Sequence, residues 1–211
     1  MDATLPLTLN RQKVDCIGVA MTRNIRLEDL ADQIPVISEP VSAAYAEACK
    51  VCFDFHMHPT GTTLNVVFVD DRHKVVVHWE GDVTEWMRRT HADLNVRVGD
   101  GTCAIALLLL AQFANLVAVE RSEKYNGIDY YLSTPNDDDF DEEHLIFNHK
   151  AVLEVTGIQT ERGSNTITSR MKKKRDRLVK YQTSTTSQTV DLPTYICVVE
   201  FSEPEAQVAL V

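Results

Sequence analysis

The chain has 211 residues, of which 44% are hydrophobic and 25% charged, with eight Gly and seven Pro. These fractions are ordinary for a globular protein, and they exclude collagen-like and wholly disordered chains. The formal net charge of −10 argues against indiscriminate binding to nucleic acid, because phosphate contacts need a positive surface. Any contact with a polyanion must therefore use a local basic segment.

Three features of the sequence bear on where the protein works. Residues 1–15 contain no cationic stretch followed by an apolar one, so no secretory signal is predicted. The longest apolar run, Cys103 to Ala111, has roughly half the length that a bilayer crossing needs. Five cysteines without the spacing of a disulfide framework are typical of reduced intracellular thiols. We predict a cytoplasmic protein that contacts no membrane.

The amino-terminal half begins with residues 1–38, which are predicted to form an extended arm and a short helix. From Val41 to Phe55 apolar residues recur every three or four positions, which predicts a helix with one buried face. The β-rich runs Thr63–Val69 and Lys74–Trp79 are separated by four polar residues and predict a hairpin. A capping residue and early acidic residues predict a short helix within residues 82–90.

The carboxy-terminal half contains both helix and strand patterns. Gly99-Asp100-Gly101-Thr102 predicts a break before a helix from Cys103 to Leu116, which is apolar nearly all round and therefore buried. The later elements are predicted as strands Val117–Arg121 and Ile128–Leu132, an acidic loop at 137–143, strand Ala151–Val155, helix Ile167–Tyr181 and strand Tyr195–Phe201. The predicted fold class is α/β (α+β): an α-β-β-β-α-β core at residues 98–211, with residues 1–97 packed on it as an arm, helix and hairpin.

The segment from Arg162 to Tyr181 is the strongest basic feature of the chain. It contains eight basic residues and a single acidic one. The basic residues lie at helical spacing beside an apolar stripe formed by Ile167, Met171 and Leu178, so the helix can pack inward and present a basic row outward. The residues predicted to contact a nucleic-acid backbone are Arg170, Lys173, Lys174, Arg177 and Lys180. A solvated surface face is the alternative interpretation.

Two acidic residues interrupt apolar strand patterns. Asp129 lies in Gly-Ile-Asp-Tyr-Tyr-Leu, and Glu154 lies between Leu153 and Val155, so by alternation it faces opposite to both. A charge at the centre of a covered strand needs a partner, and a metal ion is one. Mg²⁺ and Mn²⁺ prefer carboxylate oxygens, which makes the pair a candidate metal site. The alternative is a strand-end acid and a solvent-facing glutamate.

The order of elements, the Asp129 segment and the strand Leu-Glu-Val-Thr-Gly-Ile at 153–158 resemble the PD-(D/E)xK phosphodiesterase superfamily, the fold of many restriction and repair nucleases. The resemblance covers about residues 99–204. The chain is also similar to uncharacterised bacterial proteins that carry a Leu-Glu-Val-Ser/Thr-Gly-Ile segment and a late Val-Val-Glu-Phe-Ser-x-Pro strand, here Val198–Pro204. This resemblance implies a restriction-endonuclease-like core and a nuclease that uses Mg²⁺ or Mn²⁺ on DNA or RNA.

The resemblance also implies roles for individual residues. Asp129 and Glu154 would bind the metal, and the backbone carbonyl of Val155 would supply a third ligand. An acidic residue of the preceding helix often joins such a site, and Asp100 is the nearest candidate here, ranked below the other two.

The chain departs from the family's motif at Thr156, where the motif has a lysine that orients the attacking water. In some members a basic residue of the following helix replaces that lysine, and Arg170 or Lys173 would do so here. Catalytic duty is thus predicted for Asp129, Glu154, Arg170 and Lys173.

Three functions follow as expectations. The first is a nuclease that is targeted by a larger protein partner or by homo-oligomerisation; the resemblance implies that it belongs to a bacterial defence system. The second is a catalytically silent relative that serves as a binding or assembly subunit, with the amino-terminal helix and hairpin as the interaction surface. The third is a nucleic-acid-binding module that uses only the basic helix and binds less tightly as salt rises.

Overall fold

A computed structural model describes residues 22–33, 37–122, 127–135, 149–184 and 192–211. Residues 1–21 of the predicted arm and the predicted acidic loop at 137–143 lie outside the described residues. Within the last helix the side chains are described as far as Leu178, so the predicted contact of Lys180 lies outside them as well.

The described residues form helices and one mixed sheet. The helices are α1 (Leu30–Gln33), preceded by a 3-10 turn, α2 (Glu39–Asp54), α3 (Glu85–Thr90), α4 (Leu94–Ala114) and α5 (Ile167–Ser184). The strands are β1 (Arg23–Arg26), β2 (Thr62–Phe68), β3 (Asp71–His78), β4 (Val117–Arg121), β5 (Tyr130–Ser133), β6 (Ala151–Ile158), β7 (Thr194–Glu200) and β8 (Glu205–Leu210). The predicted α/β class is confirmed at this level.

The sheet has eight strands in the order β1-β3-β2-β8-β7-β6-β5-β4. Strands β4, β5 and β6 form an antiparallel meander, and β6 runs parallel to β7, to which it is connected through α5. Strand β8 pairs with β7 on one side and with β2 on the other. The amino-terminal hairpin therefore continues the same sheet as the strands of the carboxy-terminal half.

Helix α4 begins at Leu94 and runs through residues 99–102, so the predicted break in that segment is wrong. The Asp93 side chain caps the helix by accepting hydrogen bonds from the backbone of Asn95 and Val96. Gly101 lies where α2 crosses: a Cβ atom there would lie 3.0 Å from the Cα atom of Cys49. This glycine permits close packing of two helices and does not end one.

The two faces of the sheet are covered by different helices. Helices α2 and α4 pack on one face over the main hydrophobic core, which includes Leu153 and Val155 of β6. Helix α5 covers the other face and buries the predicted stripe of Ile167, Met171 and Leu178, which confirms it. Strand β6 is covered on both faces, so a charged side chain on it is removed from water.

Helix α4 is long and apolar enough, by length and composition, to cross a membrane. However, 61% of its most apolar window is buried within the protein, against α2 and the sheet. That burial is consistent with the central helix of a soluble protein.

Candidate active site

Glu154 is a charged residue at the centre of strand β6, and its side chain is 3% exposed. It faces α5, whereas Leu153 and Val155 belong to the core beneath α4. The orientation predicted from strand alternation is thus observed. Burial of a carboxylate at this depth is costly unless it is paired, so its contacts identify what stabilises it.

The main partner of Glu154 is Lys174 of helix α5. The Lys174 ammonium donates a hydrogen bond to Oε1 of Glu154 at 2.5 Å, and a guanidinium nitrogen of Arg177 lies 3.9 Å from the same oxygen. The second carboxylate oxygen, Oε2, is buried and has no hydrogen-bond partner among the described residues. One oxygen of this carboxylate is therefore paired, and the other has its acceptor capacity unused.

Opposing effects act on the pKa of the Glu154 carboxyl. Burial raises the pKa of the Glu154 carboxyl above its ordinary value, and the negative charge of Asp129 acts in the same direction. The hydrogen bond and the charge of Lys174, and the charge of Arg177, lower the pKa but do not overcome burial. A further positive charge at the site would favour the ionised carboxylate.

Asp129 is held beside Glu154 because it immediately precedes the first residue of strand β5. Pairing of β5 with β6 stops at Tyr130 and Leu153, and Asp129 precedes the strand. Oδ2 of Asp129 then accepts a hydrogen bond from the backbone N–H of Val155 at 2.7 Å. Within a strand, the N–H and C=O of one residue point to the same side, so the Val155 carbonyl faces the Asp129 edge.

The set of possible metal ligands is therefore small. Within the described ranges, no group of three or more His, Cys, Asp or Glu residues is arranged to hold a metal ion. Two carboxylates and one backbone carbonyl still fit Mg²⁺, which keeps several of its waters and binds proteins through one or two carboxylates. The unpaired Oε2 of Glu154 is the observation that favours such a fit.

Asp100, the third predicted ligand, lies on α4 and is not gathered with the other two. Its pKa is raised by burial and lowered by the charges of Arg121 and His91. The charges that act on the Glu154 carboxyl come instead from Lys174, Asp129 and Arg177. Asp100 therefore does not act on the Glu154 carboxyl, although burial, the charge of Asp129 and the charge of Asp100 all raise the pKa of the Cys103 thiol.

The two basic residues predicted to replace the motif lysine do not contact Glu154. Arg170 donates a hydrogen bond to Oδ1 of Asn165 at 2.7 Å and lines a cleft beside Thr156. Lys173 is exposed and lines a shallow groove on the outer surface of α5. Lys174, predicted only as a contact for nucleic acid, is the residue that the fold brings to the buried carboxylate.

The inward position of Lys174 has a signal in the sequence. The stripe Ile167, Met171 and Leu178 has helical spacing, and residue 174 completes it, three positions after Met171 and four before Leu178. A lysine on an apolar stripe is predicted to reach a buried partner or to extend its head toward water. The prediction treated this lysine as part of the outer row and missed that partner.

The outer surface of α5 remains basic without Lys174. Lys172, Lys173, Arg175 and Arg177 are exposed, whereas Arg170 is half-buried. Of the residues predicted to contact nucleic acid, Lys173 and Arg177 are exposed on this surface, whereas Arg170 is half-buried and Lys174 faces inward.

The residues around Glu154 are the described part of the chain with the most unusual chemistry. No protein-family model matches the chain, and no curated protein or solved structure matches it significantly. The chemistry of the site itself must therefore support any proposal about function.

Proposed function

We propose that the protein is a Mg²⁺- or Mn²⁺-dependent phosphodiesterase that cleaves nucleic acid. The observation that carries the proposal is the buried Glu154 carboxylate next to the fixed carboxylate of Asp129. One oxygen of Glu154 bonds to Lys174, and the other has no hydrogen-bond partner among the residues that the structure describes. A buried carboxylate with a basic partner and a perturbed pKa is characteristic of functional sites.

The proposed fold of residues 98–211 is the restriction-endonuclease-like core. Its support is the element order α4-β4-β5-β6-α5-β7, which is the α-β-β-β-α-β order that the sequence predicted. In the antiparallel meander of β4, β5 and β6, Asp129 immediately precedes β5 and bonds to Val155 of β6, the residue after Glu154, which is consistent with that resemblance.

In the proposed mechanism, Asp129, Glu154 and the Val155 carbonyl would hold the metal ion. When bound, the ion supplies a Lewis acid that polarises the phosphate and makes a bound water more acidic. Glu154 is held in position by Lys174 of α5 and by its place in strand β6.

Lys174 takes the role of the lysine that Thr156 replaces. An ammonium group has three donors, and one is used by Oε1 of Glu154. The others are available to orient an attacking water or to stabilise charge on the phosphate. Arg177, which lies on the same side, adds positive charge, and exposed Lys173 extends it along the surface where the polyanion would lie.

A second candidate is the catalytically silent assembly subunit. Two observations favour it: Lys174 already neutralises Glu154, and large apolar side chains are exposed on the amino-terminal half. Phe55 is 60% exposed, Trp86 is 75% exposed and Met57 is 91% exposed, which is typical of a surface that contacts a partner. This candidate predicts no metal binding at Glu154.

Calorimetric titration with Mn²⁺ separates the two candidates, because metal binding needs neither the substrate nor a partner. We expect the intact chain to bind Mn²⁺ and the Glu154→Gln variant to lose most of that affinity, since one carboxylate ligand is removed. Glu39→Gln is the matched control, an exposed carboxylate at the start of α2. Equal binding by Glu154→Gln and the control, or no binding to the intact chain, would refute the metal site.

A cleavage assay then tests the activity itself. DNA and RNA, each single- and double-stranded, are incubated with the protein and Mn²⁺, and the products are resolved by size. We expect cleavage to fall by at least about a hundredfold in Asp129→Asn, Glu154→Gln and Lys174→Met. Retention of full cleavage by Lys174→Met would remove that lysine from the proposed mechanism.

A further inference from the structure

A cleft of about 510 Å³ opens along the second half of β6, where Val155 and Thr156 line it; this volume is typical of sites that bind small organic ligands. It lies where the start of α4, the end of β6 and the start of α5 meet. Thr156, two positions after Glu154 and on the same face of β6, forms part of its wall. An occupant of this cleft would contact Thr156, the next side chain after Glu154 on the same face of β6.

The polar part of the cleft is positively charged. Arg162 and Arg170 line it, and none of its lining residues is acidic, although the chain as a whole has a net charge of −10. Neither arginine forms an ion pair with any carboxylate of the described residues. The Nε atom of Arg170 is held by Asn165, which leaves the two terminal nitrogens of its guanidinium for a ligand. A planar fork of this kind suits a phosphate group.

A tight turn holds this polar part in place. Arg162 and Asn165 are bridged by backbone hydrogen bonds, and Gly163 between them has φ = +56°, which a side chain would disfavour. Two of the first amides of α5 are already bonded: the backbone N–H of Ile167 donates to the Glu161 carboxylate, and that of Ser169 donates to Oγ1 of Thr166. The arginine side chains are therefore the main donors that the cleft offers to an anion.

The opposite wall of the cleft is apolar and unusually exposed. Phe55 and Leu94 line it and are 60% and 50% exposed. The Arg97 guanidinium lies 5.2 Å from the centroid of the Phe55 ring and is itself buried, so the ring is supported from the protein side. An exposed aromatic ring supported in this way is suited to stack on a planar ligand.

From this combination we infer that the cleft binds one nucleotide of an unpaired strand, with the base against Phe55 and Leu94 and the phosphate on Arg162 and Arg170. A base in a duplex is stacked on its neighbours and cannot lie on a protein ring, so the cleft selects single-stranded nucleic acid or an unpaired end. Single-stranded nucleic acid would then be the substrate class of the proposed nuclease, and this consequence rests on the proposed function.

The test measures binding without cleavage. Fluorescence anisotropy compares a labelled single-stranded oligonucleotide with the same sequence as a duplex, using the Glu154→Gln variant in EDTA. This measurement needs neither metal nor catalysis. A failure to bind the single strand is therefore distinguishable from a failure to bind Mn²⁺. We expect the single strand to bind at least about tenfold more tightly than the duplex.

Two variants assign that binding to the cleft. Phe55→Ala removes the stacking ring, and we expect it to weaken single-strand binding about tenfold. Trp86→Ala is the matched control, another exposed aromatic residue beside an arginine but outside the lining of the cleft, and it should leave binding unchanged. Arg170→Gln should weaken binding of the single strand, whereas Arg72→Gln, an exposed arginine of β3 that does not line the cleft, should not.

The inference is overturned if the duplex binds as tightly as the single strand, or if neither binds. It is also overturned if Phe55→Ala affects binding no more than Trp86→Ala does. Phe55 is mostly exposed, so its loss leaves the fold intact; an unchanged urea unfolding midpoint of the variant verifies this.

Discussion

Replacing Lys174 with methionine would leave the Glu154 carboxylate buried without the cation that donates to it. Removal of one partner of a buried ion pair destabilises a protein by about 3–5 kcal/mol. The Lys174 side chain is 19% exposed, so water partly reaches the vacated position, and we expect the lower end, about 3 kcal/mol. For a chain of this length, that corresponds to a fall in Tm of roughly 6–12 °C.

The loss of stability should depend on pH in a defined direction. Burial already holds the pKa of the Glu154 carboxyl above its ordinary value of 4.5, and removal of Lys174 should raise it further. Above that raised pKa, the folded variant carries a buried charge whose nearest cation is Arg177, 3.9 Å away. As the pH falls through the raised pKa of Glu154 toward 4.5, the carboxyl takes up a proton. The difference in unfolding free energy between the variant and the intact protein then shrinks.

Urea unfolding at about pH 8 and about pH 5 measures both effects. Trp79 is a suitable reporter, because it is buried and stacked on Phe53 at a centroid distance of 5.5 Å. Lys173→Met is the matched control on the same helix, exposed and expected to change stability by less than about 0.5 kcal/mol. The double variant Glu154→Met with Lys174→Met should recover most of the loss, since it removes the charge as well as its partner.

Equal unfolding free energies for Lys174→Met and Lys173→Met at the higher pH would refute the reasoning, because Glu154 would then not depend on its ion pair. A difference in unfolding free energy between Lys174→Met and the intact protein that stays constant as the pH falls would refute the reasoning as well. In that case the loss would come from packing of the lysine stem and not from the buried charge.

Two further predictions concern packing and surface charge. Gly157→Ala should cost about 1–3 kcal/mol in urea unfolding, because its Cβ would lie 2.1 Å from Oγ1 of Thr102 on α4. Gly99→Ala, with open space around it in the same helix, should instead stabilise by about 0.5–1 kcal/mol, and a similar loss in both would contradict this account. Lys173→Gln should weaken nucleic-acid binding equally for all sequences and reduce its logarithmic salt slope by about 1, whereas Lys74→Gln on β3 should not. Unchanged salt dependence in Lys173→Gln would exclude a phosphate contact.

Local patterning was sufficient to predict most of the elements. Helix α2, the hairpin, strands β4, β6 and β7 and helix α5 lie where periodicity indicated them. Strand β8 was missed, because Glu205–Leu210 contains two alanines and a single strongly β-forming residue, Val208. Strand β8 is stabilised by pairing with β2 on one side and β7 on the other, and a local sequence pattern does not predict such pairing. The glycines near residue 100 were misinterpreted for the same reason, since their role depends on a helix distant in sequence.

The candidate site was predictable in part. Alternation along β6 was enough to predict that Glu154 faces away from its apolar neighbours. The choice between Lys173 and Lys174 required the position of α5 over the sheet, which follows from the crossover to β7 and not from the helix alone. The hydrogen bond from the Val155 backbone to the Asp129 side chain depends on where β5 begins to pair with β6, which is at Tyr130, one residue after Asp129. Boundaries of this kind are set by tertiary contacts.

The position of β8 in the sheet also determines the order in which the protein is able to fold. Asn65 of β2 pairs with Glu205 of β8, so the hairpin joins the other strands only through the last strand of the sheet to be synthesised. Contacts so distant in sequence form slowly, because a long loop must close first. Until β8 emerges from the ribosome, β2 and β7 each have an unpaired edge that is able to associate with other chains.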